Sequence, residues 1–508
     1  MAIAGVDVGT TGCKCTVCDA EGNLLREAYQ EYDMQKDDDG RELDAFEVWT
    51  NVKKVIRQAA AGIERIQAIG VTSFGETTIF LGEDDKPLMN SLLYVDPRGE
   101  EQCRKLTEHF GRDYLFQVTG INPHSMYSIS KMIWVAENRK DVYEKTRHIC
   151  LFGDYIVYML SGVLQIDYSL ACRTMAFDYR KLDWAEDILG YAGIDKSLMS
   201  RPAPTGSAAG RIRKEMALEL GLSEDTLIVS GCHDQIAAAI GTGCLERGMA
   251  VDGTGTVECI TPIFPEPERP GAMQQYNFVM VPYVEDKTYV TYAFSFNGGS
   301  LLKWYRDNLA SMEAAVFREK GVNPYEGFNS QMKKGEPSGL LVLPYFSGSA
   351  TPYMDGEITG AILGVRDNTT SIDLYQGLME GVTYEMRLNL ECLKEAGIEV
   401  SELRATGGGA QAEVWLQMKA DILNKKIVTL GNAQSGTLGC IMMAGTACGI
   451  FKDLQEAAKV FVKTGKEYLP DPERHKRYEG LYRRYKRLYK AVGSVWKEEE
   501  EQEQSKSA

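Results

Sequence analysis

The hydrophobic pattern at the start of the chain predicts three short strands. An apolar run, Ile3–Val6, ends at Asp7, and a second strand-like run begins at Cys13 after a turn rich in glycine and threonine. Asp19–Asn23 has the composition of a tight turn, and a third strand follows it to about residue 30. The chain therefore begins with a strand, a Gly/Thr turn and a strand, and no helix follows the turn directly.

Beyond this hairpin the pattern alternates between helical and strand periods. Ala45–Ala61 has apolar positions at helical spacing, and Gln67–Thr72 is typical of a buried strand. A short apolar strand, Thr226–Ser230, leads through Gly231–Asp234 into an alanine-rich helix, Gln235–Gly241. This alternation, which continues to about residue 243, predicts an α/β domain.

The opening pattern recurs about halfway along the chain. Met249–Ile260 again predicts a strand, an aspartate (Asp252), a Gly/Thr turn and a strand. We interpret the repeat as a duplicated fold with one phosphate-binding hairpin in each domain. A chance match between two Gly/Thr-rich hairpins is the alternative. The predicted domains are 1–247 and 248–496, and the Glu/Gln/Ser-rich tail 497–508 is predicted to be disordered.

Three glycine-rich segments mark the second half of the chain. Asn297–Ser300 opens a predicted helix, and Gly407–Gly409 joins a strand, Leu403–Thr406, to a helix, Gln411–Asn424. Such a loop lets a flat base or a ribose approach the backbone closely. Gly436–Gly449 is a Gly/Ala-rich helix that we expect to pack closely against its neighbours.

Tyrosines recur at helical spacing near the end of the chain. These tyrosines are Tyr478, Tyr482, Tyr485 and Tyr489. Because they are separated by four, three and four residues, they mark one face of a helix, and the other positions of this helix are rich in arginine and lysine. We expect this helix to dock on a domain with its basic face in solvent, and a nucleic-acid surface is the alternative.

Composition narrows the class of protein. Because the chain has 508 residues, we expect two or more domains. Its hydrophobic content is 44% and it contains no apolar run long enough for a membrane span, so we expect a soluble cytoplasmic protein. The net charge of −16 disfavours nucleic acid as a partner. The C-x-x-C of Cys15 and Cys18 raises a metal site as an alternative, but no second cysteine pair or histidine cluster accompanies it, so we predict buried core cysteines.

The two hairpins and Asp234 carry the chemistry. The first hairpin offers glycine backbone N–H groups, threonine hydroxyls and the cation of Lys14, and its carboxylate, Asp7, suits Mg²⁺. Together these groups can bind a triphosphate. Asp234 follows a predicted strand at the edge where α/β sheets place ligands, so it is a candidate base. A simple helix N-cap is an equally good explanation of Asp234 at this point.

The chain resembles the FGGY carbohydrate kinases from Asp7 to about Gly449. The first signature of that family is complete in Met126–Asn138, and the second runs from Gly360 to Glu380 with a departure at Gly377, where alanine or serine is usual. The resemblance implies an α/β fold of two actin-like, ribonuclease-H-like ATPase domains that flank a catalytic cleft, with sugar bound by the first domain and ATP–Mg²⁺ in the cleft.

The resemblance also implies roles for individual residues. Asp234 aligns with the catalytic base, and Asp7 and Asp234 with carboxylates near the metal. The implied nucleotide contacts are Thr10, Thr11, Gly12, Lys14, Thr254, Gly299, Lys303, Gly409 and Glu413. The implied acceptor contacts are Ser73, Phe74, Glu76, Thr77, Asp96, Met126, Asp234 and Gln235.

The acceptor segment matches no single subfamily. Glycerol kinases carry Arg-Glu-Thr-Thr where this chain has Gly75 before Glu76, and xylulokinases carry a histidine where it has Phe74. Tyr94–Arg98 is closer to the xylulokinase pattern, whereas Asp234-Gln235 matches glycerol kinase. Because an arginine is missing at position 75, we expect room for a longer acceptor, with Phe74 as an apolar wall and Glu76 as a hydroxyl acceptor; a solvated loop carboxylate is the alternative for Glu76.

The resulting hypothesis is an ATP- and Mg²⁺-dependent kinase of a ketopentose such as xylulose, or of another ketose or alditol of four or more carbons. Glycerol kinase-like activity is one alternative, and an actin-like nucleotide-switch ATPase is another. We expect a small sugar or polyol as partner, no nucleic acid and no membrane, and leave a homodimer open.

Overall fold

The computed structural model describes residues 1–36, 40–431 and 434–495. The chain divides into two compact units. Unit 1 contains Met1–Leu245, Val279–Val290 and Gln434–Lys463. Unit 2 contains the described residues of Glu246–Phe278, Thr291–Ala433 and Thr464–Ala508. The units interleave along the chain, so they differ from the predicted division at 247/248, which stays a prediction. The predicted disordered tail 497–508 lies outside the described residues.

Unit 1 is built on a six-stranded sheet. The three central strands run parallel, and each neighbour farther out is antiparallel. The strands lie in the order Ala208–Arg211, Leu227–His233, Ile66–Ser73, Ala2–Val8, Gly12–Asp19 and Leu24–Glu31. Ala2–Val8 is buried along almost its whole length, as expected of a parallel strand covered on both faces.

Unit 2 repeats this sheet with the same strand directions. Its strands lie in the order Thr464–Tyr468, Lys426–Leu430, Glu402–Thr406, Met249–Thr254, Glu258–Pro265 and Ala293–Ser295. The pairs Met249–Thr254 with Glu402–Thr406 and Glu402–Thr406 with Lys426–Leu430 are parallel, and the outer pairs are antiparallel. The α/β fold with two related units is therefore confirmed, and Asp7 and Asp252 lie on equivalent strands.

Helices and short strand pairs complete both units. The helices of unit 1 are Ala45–Ala60, Glu100–Phe110, Arg112–Thr119, Ser128–Asn138, Lys140–Tyr143, Phe152–Ser161, Tyr168–Cys172, Glu186–Tyr191, Lys214–Leu220, Asp234–Gly241, Ser435–Ala447 and Leu454–Phe461, with a 3-10 turn at Lys196–Leu198. The helices of unit 2 are Pro270–Gln275, Gly299–Asn308, Ser311–Glu319, Pro324–Gln331, Ser371–Glu395, Glu413–Leu423 and Pro472–Tyr485, with a 3-10 turn at Gly408–Gln411. The short strands are Gln35–Lys36, Arg41–Leu43 and Ser91–Leu92 in one group, and the pairs Thr78–Leu81 with His148–Leu151, Gln165–Asp167 with Arg201–Ala203, Phe177–Asp178 with Asp183–Trp184, Val281–Pro282 with Thr288–Val290, and Leu341–Leu343 with Ala361–Leu363.

The Gly/Ala-rich helix Ser435–Ala447 packs directly on the backbone of unit 1, as predicted. A side chain at Gly439 would overlap the carbonyl oxygen of Ala237, and one at Gly5 would overlap that of Thr437. Glycine is required at these positions because the neighbouring backbones leave no space for a Cβ atom. This close packing fixes a late segment of the chain to the central strands of unit 1.

The tyrosine-rich helix docks on unit 2. Tyr478, Tyr482 and Tyr485 are buried in its core, and the hydroxyl of Tyr485 donates to the carboxylate of Glu385 over 2.6 Å. Tyr489 lies beyond the end of this helix and donates to Asp355. The docked amphipathic helix is therefore confirmed.

The cysteines of the first hairpin are core residues, as predicted. Cys13, Cys15 and Cys18 are all buried, and no group of three or more potential metal ligands among His, Cys, Asp and Glu occurs in the described part of the chain. In the same part of the chain, no helix has the length and apolar character needed to cross a membrane.

Replacement of Gly439 by alanine tests the backbone packing. We expect Gly439→Ala to lower the free energy of unfolding of unit 1 by about 3 kcal/mol, because the methyl group forces two helices apart. Gly190 in the helix Glu186–Tyr191 has no atom within 4 Å of the position that a methyl group would take, so Gly190→Ala is the matched control and is expected to stabilise by up to about 1 kcal/mol. Equal thermal midpoints for the two variants would contradict the packing argument.

Candidate functional site

Three parallel strands of unit 1 end side by side. Val8 pairs with Ser73, and Ser73 pairs with His233. The strand Leu227–His233 contains a bulge before its end, where a side chain at Gly231 would overlap the carbonyl oxygen of Val71. Such bulges redirect the end of a strand. The register brings the predicted residues Asp7, Glu76 and Asp234 to one edge of the sheet.

Asp234 is the first residue of the helix Asp234–Gly241, and His233 is the N-cap. The N-cap explanation for Asp234 is therefore wrong. Nε2 of His233 lies 3.3 Å from Oδ1 of Asp234, yet no group in the described residues makes a hydrogen bond to that oxygen. Burial raises the pKa of Asp234 to about 7, and the negative charges of Asp7 and Glu76 contribute, whereas Arg173 opposes the shift. A carboxylate with this pKa can accept a proton near neutral pH.

Asp7 faces Lys14 across the first hairpin. The two residues are direct partners in the antiparallel ladder, and the turn between them is closed by a hydrogen bond from the Gly9 N–H to the Gly12 carbonyl. Burial raises the pKa of Asp7 to about 6, and Lys14 opposes this shift. Thr10 is half-buried and Thr11 is exposed in this turn.

Glu76 is held by an ion pair that the sequence did not reveal. Nε of Arg173 donates to Oε1 of Glu76 over 2.6 Å, and Nη2 contacts the same oxygen. The backbone of Glu76 is in the left-handed region with φ of 63°, and its carbonyl accepts a hydrogen bond from Ser128 Oγ. Only 4% of Glu76 is exposed, so the solvated-loop alternative is wrong. Both of these Arg173 contacts are made to Oε1 of Glu76.

Arg173 also corrects the expected space at position 75. A Cβ atom on Gly75 would lie 2.8 Å from Cγ of Arg173. The room that a missing arginine was expected to leave is therefore filled by an arginine from another segment. The available signal was an arginine within the apolar run Leu170–Met175, because a buried guanidinium needs a charged partner.

Two predicted acceptor residues have structural roles instead. Phe74 lies in the core of unit 1, with its ring 4.9 Å from that of Phe152, so it is not an apolar wall of the site. Asp96 accepts hydrogen bonds from the Arg41 N–H and from three N–H groups of Arg98. Both of its oxygens are occupied, so Asp96 fixes its loop and is not placed to bind a sugar.

The other predicted acceptor residues lie around the same strand end. Ser73 and Thr77 are buried, and Ser73 Oγ donates to the Phe74 carbonyl. Met126 is half-buried and Gln235 is exposed in the first turn of its helix. Tyr94 was missed: burial raises the pKa of its half-buried phenol, and Glu76 and Asp234 add to the shift. This coupling places Tyr94 in the field of both carboxylates.

Unit 2 contains a pocket of about 500 Å³ beside the second hairpin. Four predicted nucleotide residues line it: Thr254, Gly299, Lys303 and Gly409. The helix Pro324–Gln331 and the residues Tyr375 and Trp415 add walls that the sequence did not indicate. Glu413 lies elsewhere, since it forms a 3.0 Å ion pair with Lys466 beside a different cavity. The ion pair does not favour the predicted contact of Glu413 with the nucleotide.

A buried lysine supports the second hairpin. Nζ of Lys419 lies 2.7 Å from Asp252, 2.9 Å from Glu258 and 2.6 Å from Thr254 Oγ1. Lys419 is only 2% exposed, so it compensates both carboxylates and fixes the threonine hydroxyl. Asp252 is therefore paired with a buried lysine, in contrast with Asp7 on the equivalent strand of unit 1.

Comparisons with known proteins show to which family and fold the chain is similar. Models of the FGGY family of carbohydrate kinases match residues 2–241 with the N-terminal domain and 248–448 with the C-terminal domain. The chain is 28% identical to a xylulose kinase of Bacillus subtilis (strain 168), over 96% of each chain. It is 27% identical to a gluconokinase of the same strain, over 94% of this chain and 93% of the relative. The crystal structure of a ligand-bound xylulose kinase from Lactobacillus acidophilus superposes with a TM-score of 0.88 at 24% identity, covering 98% of this chain and 99% of that one.

Adjacent glycines in the loop after Glu402–Thr406 test the pocket of unit 2. A Cβ atom on Gly409 would lie 2.6 Å from Thr254 Cβ, whereas one on Gly408 would have no atom within 4 Å. We expect Gly409→Ala to raise the Kd for ADP at least tenfold, equivalent to about 1.4 kcal/mol, because Thr254 is displaced. Gly408→Ala is the matched control, with a change below about threefold by calorimetry. Equal effects in both variants would contradict the assignment of this pocket.

Proposed function

Because the chain belongs to the FGGY family of carbohydrate kinases, we propose that it transfers the γ-phosphoryl group of ATP to a hydroxyl of a ketopentose such as xylulose, or of another ketose or alditol of four or more carbons. The observation that carries the proposal is the meeting of Asp7, Glu76 and Asp234 at the ends of three registered strands. The similarity to a xylulose kinase supports a ketopentose as acceptor.

Asp234 acts as the general base in this proposal. Its Oδ1 is buried and accepts no hydrogen bond from the described residues, so it can accept one from a substrate hydroxyl. The raised pKa of about 7 makes the carboxylate a stronger base than an exposed aspartate. Asp234 takes the hydroxyl proton as the oxygen attacks the γ-phosphorus.

The carboxylates of Asp7 and Asp234 fit a magnesium ion. They influence each other electrostatically, and carboxylate oxygens are ligands that Mg²⁺ prefers. When bound, the ion neutralises negative charge that develops on the transferring phosphoryl group. Within unit 1, Lys14 and the N–H groups of the first turn are suited to phosphate oxygens. Within unit 2, the pocket lined by Thr254, Gly299, Lys303 and Gly409 is the one that we assign to the nucleotide.

Glycerol kinase-like activity is a second candidate, favoured by one observation. Arg173 places a guanidinium beside Glu76, and the glycerol kinase pattern also combines an arginine with this glutamate. Glu76-Thr77-Thr78 and Asp234-Gln235 are shared with that pattern. The membership in a carbohydrate kinase family favours a sugar kinase over an actin-like nucleotide switch.

Asp234→Asn tests the proposed base. We expect kcat to fall by about 10³-fold, because the amide cannot accept the proton. The Kd for ADP and the thermal midpoint should stay close to the wild-type values, since the nucleotide pocket of unit 2 is untouched. Asp178→Asn is the control, because Asp178 accepts backbone hydrogen bonds from Arg180 and Lys181 that an asparagine oxygen also accepts. Near-normal turnover by Asp234→Asn would contradict the proposed role of Asp234 as the general base.

A panel of acceptors tests the substrate. In a coupled assay we expect kcat/KM for D-xylulose or xylitol to exceed that for glycerol at least tenfold, because Glu76 and Asp234 both offer oxygens to separate hydroxyls. Glycerol as the best acceptor would instead support the second candidate.

A further inference from the structure

The strand that leads to Asp234 carries one extra residue near its end. Ser230 pairs with Val71 on the neighbouring strand. The next pair, His233 with Ser73, lies three residues farther along the first strand and only two along the second. A bulge of this kind interrupts the hydrogen-bond ladder of the sheet. Buried backbone groups at the bulge therefore need other partners, and the position of Asp234 depends on what those partners are.

Two buried hydroxyl groups bind a single peptide group of this bulge, the one between Cys232 and His233. Thr72 Oγ1 donates to the carbonyl oxygen of Cys232 over 2.5 Å. The N–H of His233 donates to Ser169 Oγ over 2.9 Å. Because a trans peptide group is planar and its C=O and N–H point in opposite directions, the two hydroxyls hold it from both sides. Thr72 and Ser169 are fully buried, and hydrogen bonds in such an interior are electrostatically stronger than in water.

The hydroxyl of Ser169 is itself oriented by a buried carboxylate. Ser169 Oγ donates its single proton to Oδ2 of Asp167 over 2.7 Å, so its oxygen is left to accept the His233 N–H. Asp167 also accepts from Thr205 Oγ1 over 2.8 Å and caps the helix Tyr168–Cys172. Since Asp167 is only 1% exposed, the anchor of the Ser169 hydroxyl lies in the interior of unit 1.

The backbone at this place determines where the Asp234 carboxylate lies. Asp234 is the first residue of its helix and directly follows the N-cap His233. No group of the described residues makes a hydrogen bond to Oδ1 of Asp234, so that oxygen has no such restraint of its own. A rotation of the peptide group between Cys232 and His233 would therefore move the carboxylate, and a displacement of about 1 Å in a reacting group can cost about 10²-fold in rate.

We propose that Thr72 and Ser169 are positioning residues for the general base Asp234. They hold the peptide group between Cys232 and His233 and thereby set the place of the carboxylate relative to the acceptor hydroxyl. The inference rests on the proposed kinase function and adds to it the residues that position the base.

A second threonine of the same strand pair provides a matched control. Thr226 Oγ1 donates to the carbonyl oxygen of Ile66 over 2.9 Å, and Thr226 is fully buried like Thr72. Both hydroxyls thus bridge the same two neighbouring strands, Thr72 near their carboxyl ends and Thr226 at their beginnings. The two residues share chemistry and burial, but only Thr72 lies beside the segment that carries Asp234.

Replacement of each threonine by valine separates positioning from stability. Valine removes the hydroxyl and keeps the shape of the side chain, so we expect Thr72→Val and Thr226→Val to lower the thermal midpoint to values within about 3 °C of each other. The assay uses D-xylulose, xylitol or glycerol, whichever the wild type phosphorylates fastest. Thr72→Val should lower kcat at least about tenfold and leave the KM for ATP within about threefold. Thr226→Val should keep kcat within about twofold of the wild type.

Three further variants show whether the effect passes through Asp234. Ser169→Ala removes the acceptor of the His233 N–H and should lower kcat at least about tenfold, so it carries the test if Thr72→Val does not fold. Thr72→Ser retains the hydroxyl and should keep kcat within about threefold of the wild type. When Thr72→Val is added to Asp234→Asn, we expect a further fall in kcat of less than about twofold, because a residue that acts through the base loses its effect once the base is removed.

The outcomes distinguish this inference from the proposed function. Equal kcat in Thr72→Val and Thr226→Val would overturn the inference and leave the kinase function intact, as would a further loss of about tenfold when Thr72→Val is added to Asp234→Asn. Absence of wild-type turnover with every acceptor would overturn the proposed function. Crystal structures would then decide the inference: a shift of the Asp234 carboxylate by about 0.5 Å or more in Thr72→Val but not in Thr226→Val would support it, and an unmoved carboxylate would overturn it.

Discussion

Parallel pairing of three central strands is the constraint on which both units depend. Because parallel strands end at the same edge of a sheet, residues far apart in sequence reach one place without any direct link between them. In unit 1 the register of Val8, Ser73 and His233 gathers the segments that carry Asp7, Glu76 and Asp234. In unit 2 the same topology brings the second hairpin and the loop after Thr406 to the wall of one pocket. The fold thus provides two equivalent edges, and the side chains determine what each edge can bind.

The two hairpins show how one backbone plan supports two electrostatic states. Asp252 is enclosed with Lys419, and Lys419 also compensates Glu258 and holds Thr254. That arrangement gives a rigid, charge-compensated hairpin, suited to fixing backbone and hydroxyl donors around phosphates. Asp7 has Lys14 only as a cross-strand neighbour, and burial raises its pKa to about 6. Among the described residues no buried lysine pairs with Asp7 as Lys419 pairs with Asp252, so the equivalent strand positions differ in how their carboxylates are compensated.

The acceptor side depends on how a buried glutamate is compensated. A buried carboxylate is costly unless a cation or hydrogen bonds neutralise it. Arg173 provides that compensation through one oxygen of Glu76, and the helix Tyr168–Cys172 connects the same segment to the strand end before Asp234. The positions of the two carboxylates are therefore coupled through one helical turn. The space beside Glu76 is set by the side chain of Arg173, which would lie against any side chain at position 75.

The sequence by itself determined the elements and the duplication. Periodicity located the hairpins, the helix Ala45–Ala60, the strand before Asp234 and the tyrosine-rich helix, because local apolar patterns determine which face of each element is buried. The family resemblance also led to Asp234 and to the glycines that line the pocket of unit 2. Only the tertiary structure decided the partners of charged groups: Arg173 with Glu76, Arg98 with Asp96, Lys419 with Asp252, and Lys466 with Glu413. Except for the local pair of Arg98 and Asp96, these residues lie on different segments, and a long side chain has no periodic signature that indicates which distant carboxylate it will reach. The sequence therefore predicted the candidate site residues, whereas the tertiary structure decided which of their charged groups are paired with one another.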